Sequence, residues 1–265
     1  MQQGLTNETI LDISRLTKRF GGLVAIRDLD MAVKKQEIMG LIGPNGAGKS
    51  TVLNMIHGLL KPTAGKIIFQ GKDITGWSPH RISKLGIARV FQGNVLFRNL
   101  PAKNNVFIAM HDRDQRGFWG SLIVSRYSRR VEAQMEAKAD QILDLVGLRD
   151  KAGELACNLS HGEQRVLCLA VALASDPTLV LLDEPVTGMN AGEVMSMVSL
   201  IRRLREERKI TFIVVEHNMR AVMNLCDRIA VISYGEKIAE GSPADISRNP
   251  AVIQAYLGAE QQHVA

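Results

Sequence analysis

Apolar and polar positions change rhythm three times along this chain. Over the first seventy residues short apolar runs alternate with polar ones. Residues 10–16, 29–33 and 37–42 read as strands, Phe20-Gly21-Gly22 as a turn, and 66–69 as a further strand closed by Gln70-Gly71-Lys72. Leu60-Lys61-Pro62-Thr63-Ala64-Gly65 breaks the chain before that last strand. This front section is expected to be β-rich and antiparallel. From 102 to 148 the spacing lengthens to three and four residues, most regularly over 131–146, and Gly147 marks a stop. Within it, 111–130 is polar, basic and aromatic and keeps no period. From 162 the pattern alternates: helices over 163–174, 191–207 and 219–225, strands over 179–182, 211–215 and 229–232. Such alternation points to parallel α/β construction. No internal repeat is visible, and the polar tail from Ala259 is expected to fray.

Composition narrows the class. With 46% hydrophobic and 23% charged residues over 265 positions, the chain can bury a core and is not disordered. Its longest strongly apolar run, 166–174, is under half of the roughly 20 residues a bilayer span requires. The first residues lack the basic-then-apolar order of a secretory signal. A chain that neither crosses a membrane nor enters the secretory route is therefore expected. Cys157, Cys168 and Cys226 are odd in number and form no C-x-x-C pair, which favours reduced thiols over a disulfide framework or zinc site. The net charge of +6 is uneven: residues 1–100 hold 14 basic and 6 acidic side chains, and 151–265 hold 11 and 14. A basic front half suits nucleic acid, anionic lipid or nucleotide phosphate, and composition does not choose among them.

Two motifs choose. Gly43-Pro44-Asn45-Gly46-Ala47-Gly48-Lys49-Ser50-Thr51 fits G-x-x-x-x-G-K-[ST] between an apolar strand, 38–42, and a helix predicted to run to about Leu60. Glycines let successive N–H groups curl toward phosphates, and the helix N-terminus adds partial positive charge. Lys49 is placed to reach the β- and γ-phosphates, and Ser50 to ligate magnesium. The second motif is Leu179-Val180-Leu181-Leu182-Asp183-Glu184, an apolar strand ending in two acids. A parallel strand delivers Asp183 to the sheet edge that carries the phosphate loop, where it can hold magnesium through water while Glu184 polarises an attacking water.

Three more elements complete an order. Leu159-Ser160-His161-Gly162-Glu163-Gln164-Arg165 precedes the carboxylates, Gln92 sits in Val90-Phe91-Gln92, and His217 in Val214-Val215-Glu216-His217-Asn218. Over nearly its whole length the chain resembles the ATP-binding subunit of an ABC transporter. The resemblance implies an α/β P-loop NTPase with a RecA-like parallel core, an N-terminal antiparallel β-subdomain and a helical subdomain. Residues 1–91 and 175–258 would form the nucleotide-binding core, 92–174 the helical part carrying the signature, and 259–265 a polar tail.

For ATP and Mg2+ it implies that Phe20 stacks on adenine. Gly43, Asn45, Gly46, Ala47, Gly48, Lys49, Ser50 and Thr51 would hold the phosphates, with Ser50, Gln92 and Asp183 contacting the metal. Glu184 would be the general base, assisted by His217, Gln92 and Lys49. Ser160 and Gly162 would clasp the γ-phosphate bound by a second ATPase subunit, and Asn190 would lie in the loop crossing that interface. Three features depart from the commoner pattern: Phe20 replaces tyrosine, His161 the first signature glycine, and Asn190 an aspartate.

The long segment between Gln92 and Ser160, the signature without a double glycine, and Asn249-Pro250-Ala251-Val252-Ile253-Gln254-Ala255-Tyr256-Leu257-Gly258 are similar to the larger ATPase of branched-chain amino-acid (LIV-type) uptake systems. The similarity implies a peripheral subunit on the cytoplasmic face of the inner membrane. Its partners would be two permeases, a second related ATPase or a second copy of itself, and indirectly a periplasmic binding protein; no nucleic acid is expected. Phe97, Phe107 and Trp119 flank Gln92 and are candidates for the socket receiving a permease helix. Arg126-Tyr127-Ser128-Arg129-Arg130 reads as a solvated face or a lipid-headgroup contact. Rival readings are a lipopolysaccharide-export ATPase, a soluble non-transport ABC protein, and a non-hydrolysing nucleotide-binding regulator.

Overall fold

The structure, a computed structural model, describes residues 8–93, 95–111 and 126–262. Two twelve-residue strands, β1 (Thr9–Phe20) and β2 (Leu23–Lys34), form a hairpin closed at Gly21-Gly22. With β4 (Ala64–Phe69) and β5 (Lys72–Asp73) they make an antiparallel sheet of order β2-β1-β4-β5. Both hairpin strands outrun their apolar stretches, because bulges that shift the register, with Arg15 and Asp28 at positive φ, let polar positions stay paired.

The strand β3 (Ile38–Ile42) departs from the antiparallel expectation for the front section. It lies inside a six-stranded sheet of order β10-β9-β3-β8-β7-β6, parallel to both β8 and β9. All five of its residues are buried, as a strand covered on both faces requires. The other members are β6 (Ile87–Val90), β7 (Leu179–Asp183), β8 (Thr211–Val215), β9 (Arg228–Ser233) and the antiparallel edge strand β10 (Glu236–Gly241). Helix α1 (Lys49–Ile56) stops earlier than its predicted end near Leu60, since the chain turns at Gly58 with φ +81.

The remaining helices are α2 (Pro79–Lys84), α3 (Ala102–His111), α4 (Arg126–Val146), α5 (His161–Leu173), α6 (Ala191–Arg208), α7 (Met219–Leu225), α8 (Pro243–Ser247) and α9 (Pro250–Gln262). Helix α9 continues past Ala259, where the polar composition predicts fraying.

Alternation along the central strands feeds two cores. Met39, Leu41, Leu181, Ile213 and Val215 join α1 and the antiparallel sheet, whereas Ile38, Ile42, Val180, Leu182, Phe212 and Val214 join α3 to α7. Cys168 and Cys226 are buried, and burial pushes their thiols up to about 11 and about 12, so they remain protonated packing groups. Among the described residues no helix is long and apolar enough to cross a membrane. Because β3, β6, β7 and β8 run parallel, their carboxyl ends share one edge, and the segments leaving it are those that carry the predicted chemistry.

Candidate functional site

The loop between β3 and α1 is built by contacts that exclude side chains. A Cβ at Gly43 would collide with the Ile232 carbonyl oxygen, and one at Gly48, where φ is +103, would lie 2.5 Å from Ile26 Cδ1. Gly48 also caps α1 without supplying a side-chain acceptor, so the first-turn N–H groups stay available to an anion. The turn at Gly235 braces the loop from behind: its N–H donates to the Ala47 carbonyl at 3.1 Å, and its own carbonyl accepts from Arg27 N at 2.9 Å.

Lys49 Nζ donates to the loop carbonyls of Gly43 (2.7 Å) and Pro44 (2.9 Å). Burial lowers its pKa, against the opposing pull of Glu184 and Asp183. Asn45, Gly46 and Ser50 are exposed, Thr51 is half-buried and Ala47 is buried. Phe20, at the end of β1, is 46% exposed with Lys18 Nζ 4.9 Å from its ring centroid. Its ring is therefore open to a flat ligand and does not serve as core.

The carboxylates occupy two different environments. Asp183 is buried and accepts from Arg89 Nη2 at 2.8 Å through Oδ2. Glu184, with φ +52, is fixed by its N–H donating to the Val215 carbonyl at 2.8 Å. Its Oε2 accepts from Gln92 Nε2 at 2.7 Å and from Thr187 Oγ1 at 3.2 Å, and His217 Nδ1 lies 3.6 Å from Oε1. Glu216 is buried and accepts from the N–H groups of Val186 (2.9 Å), His217 (3.1 Å) and Asn218 (3.2 Å), tying the Glu184 and His217 loops together. Burial raises its pKa, opposed by those three donors. Arg165, buried on α5, donates to the Gln92 carbonyl.

Ser160 and Asn190 each cap their own helix, while His161 and Gly162 meet the segment that leads into α6 and its first turn. Ser160 Oγ accepts from Glu163 N at 3.2 Å, and Ser160 N donates to Glu163 Oε2 at 2.8 Å, a reciprocal cap of α5. A Cβ on Gly162 would sit 2.8 Å from Glu193 Oε1, and the His161 ring lies over Gly188. Asn190 caps α6, accepting from Gly192 and Glu193 at 3.0 Å each. The start of α5 is thus packed onto the start of α6, while Lys49, Gln92, Asp183, Glu184 and His217 gather at the sheet edge.

Arg89, Arg165, Thr187 and Glu216 were not anticipated as parts of the site. Glu216 carried a usable signal, an acid closing an apolar strand as Asp183 does, and Arg89 another, a lone charge inside an apolar strand. Near Gln92, Phe97 is 58% exposed, whereas Phe107 packs against the core. Trp119 lies outside the described residues, as do the side chains of Arg126-Tyr127-Ser128-Arg129-Arg130.

Among the described residues no three His, Cys, Asp or Glu side chains cluster as metal ligands. The oxygen donors of Ser50, Gln92 and a single carboxylate, Asp183, fit Mg2+, which takes few protein ligands beside substrate phosphates.

Comparison with known proteins gives the same outline. A family model described as "ABC transporter" matches residues 26–187, and one described as "Branched-chain amino acid ATP-binding cassette transporter" matches 236–261. The chain is 37% identical over 252 residues to the high-affinity branched-chain amino acid transport ATP-binding protein LivG of Escherichia coli (strain K12), covering 95% of this chain and 99% of that one. A nucleotide-free ATP-binding cassette from an ABC transporter superposes with a TM-score of 0.83 at 29% identity, over 94% of this chain and 98% of that one. A dimeric post-hydrolysis cassette bound to ADP and Pi superposes with a TM-score of 0.74 at 25% identity, over 88% and 99%.

Proposed function

The chain belongs to the ABC transporter family of ATP-binding ATPases, and from that premise we propose that it is the motor subunit of an importer for branched-chain amino acids or a related small polar or aromatic-acid substrate. The match of 236–261 to the branched-chain family supports this importer over a lipopolysaccharide-export system.

The observation that carries the catalytic reading is the convergence on Glu184. Gln92, Thr187 and His217 all surround its carboxylate at the end of a buried strand. In hydrolysis the N–H groups of the 43–48 loop and Lys49 bind the β- and γ-phosphates, and Phe20 stacks on adenine. Ser50, Gln92 and, through water, Asp183 would hold Mg2+, which would neutralise phosphate charge. Glu184 takes a proton from the attacking water as its oxygen bonds to the γ-phosphorus and the β–γ bridging oxygen leaves with ADP. Gln92 and Thr187 hold the base in its rotamer, and His217 contacts the γ-phosphate.

Ser160 and Gly162 complete the site of a second ATPase, so two ATP molecules lie between two such subunits. The pair sits on two permeases at the cytoplasmic face of the membrane, with Phe97 in the socket for a permease helix. A binding protein outside the membrane supplies the substrate.

Replacing Glu184 with Gln keeps the shape and removes the base. Turnover then falls at least about 100-fold while ATP still gathers two subunits, seen as a stable dimer in size-exclusion chromatography. Wild-type hydrolysis in that variant overturns the assignment.

A further inference from the structure

Strand β6 reads Ile87-Ala88-Arg89-Val90, and its one charged side chain is only 3% exposed. Its Nη2 donates to Asp183 Oδ2 at 2.8 Å at the end of β7, and its Nη1 donates to Asn54 Oδ1 at 2.6 Å in α1, five residues after Lys49. The guanidinium lies over the Phe91 ring, 4.7 Å from its centroid, and the His57 ring meets that same ring edge-on at 5.8 Å. His57 stays neutral there, its pKa held down to about 4 by burial and by the Arg89 charge.

A buried ion pair is a poor device for stability alone, since apolar residues of similar volume serve as well or better. This one ties the two elements that carry metal-contacting side chains, α1 with Ser50 and β7 with Asp183, to β6, which ends two residues before Gln92. We propose that Arg89 is a positioning residue for the metal site, its guanidinium locking α1, β6 and β7 in register and holding the Asp183 carboxylate by Oδ2 so that Oδ1 is left for a metal-bound water. The proposal rests on the reading of Ser50, Gln92 and Asp183 as the metal contacts. A lysine does not substitute, because one ammonium lacks the planar fork that spans Asn54 and Asp183.

The test titrates Mn2+ against the full chain with a non-hydrolysable ATP analogue, followed by EPR, and separately measures the affinity for a fluorescent ATP analogue in EDTA. Arg89→Lys is expected to weaken Mn2+ binding about tenfold or more, as loss of a partner behind a metal ligand does. Asn54→Ala, which keeps the buried pair, is expected to weaken it about threefold, on the scale of one lost hydrogen bond. Both retain wild-type nucleotide affinity in EDTA.

Wild-type Mn2+ affinity in both variants, with Asp183→Asn weakened, overturns the role of Arg89 alone. Wild-type Mn2+ affinity in Asp183→Asn overturns the metal reading beneath it. A parallel loss of nucleotide affinity in EDTA overturns positioning in favour of general disruption. Should Arg89→Lys not fold, Asn54→Ala decides by the same criteria.

Discussion

Asn105 can be removed without touching any residue placed in the catalytic site, and the loss should report on the loop that displays Phe97. The side chain is buried on α3. It accepts from Phe97 N at 2.8 Å, and its Nδ2 donates to the carbonyls of Phe97 (3.2 Å), Leu100 (3.3 Å) and Pro101 (3.1 Å). Two amide hydrogens serve three acceptors, so the side chain contributes about three hydrogen bonds, each worth about 1 kcal/mol net. The carbonyls keep backbone donors (Leu100 N, Ala156 N and Asn104 N), which leaves Phe97 N–H as the one group stripped of its partner. Asn105→Ala should therefore destabilise the chain by about 2–3 kcal/mol and lower the melting temperature by about 5–10 °C.

Urea unfolding followed by circular dichroism measures the first, and scanning calorimetry the second. The exposed neighbour Asn104, replaced by Ala, provides the control and should stay within about 0.5 kcal/mol. Nucleotide affinity should hold within about twofold, because α1 packs in the other core. A loss in Asn105→Ala no larger than in the control refutes the hydrogen-bond accounting.

Lys49→Ala should weaken a fluorescent ATP analogue about tenfold to 100-fold, the scale of a charge-assisted hydrogen bond to phosphate; unchanged binding would contradict the loop assignment. Phe97→Ala should cut transport-coupled ATP turnover about tenfold in the assembled complex, and wild-type coupling there would remove Phe97 from the permease socket. His57 sets an acid limit. The unfolded chain protonates it near 6.5 and the folded chain only near 4, so stability is fully present above 6.5 and falls as acid fills the unfolded state first. By pH 4.5 the wild type should have lost about 2.5 kcal/mol more than His57→Gln in urea unfolding, and equal losses would refute the burial argument.

The motifs are easier to read in the sequence than the architecture around them. The phosphate loop and the Asp183-Glu184 pair are contiguous strings whose spacing carries their geometry. The strands at 179–182, 211–215 and 229–232 announce themselves as apolar runs because both faces of the central sheet are covered. The unbroken apolar run 38–42 obeys the same rule, and only the alternating strands before it suggest an antiparallel setting. Strand β6 is hidden by its arginine, and β10, charged and lying at an edge, has little burial to mark it. Arg89, Arg165 and Glu216 act through partners 94, 73 and 30 residues away, and no local pattern encodes such pairings.

Glu184 holds a backbone angle, φ +52, that non-glycine residues adopt at a cost of about 1–2 kcal/mol. A glycine or asparagine there would relax the turn and remove the carboxylate we propose as the base. On that proposal, selecting variants of this protein for heat resistance alone would favour inactive ones at this position, and any stabilisation campaign needs a turnover screen alongside. The same strain offers a physical route by which a duplicated copy, freed from hydrolysis, would drift toward a sturdier chain that binds ATP and keeps it.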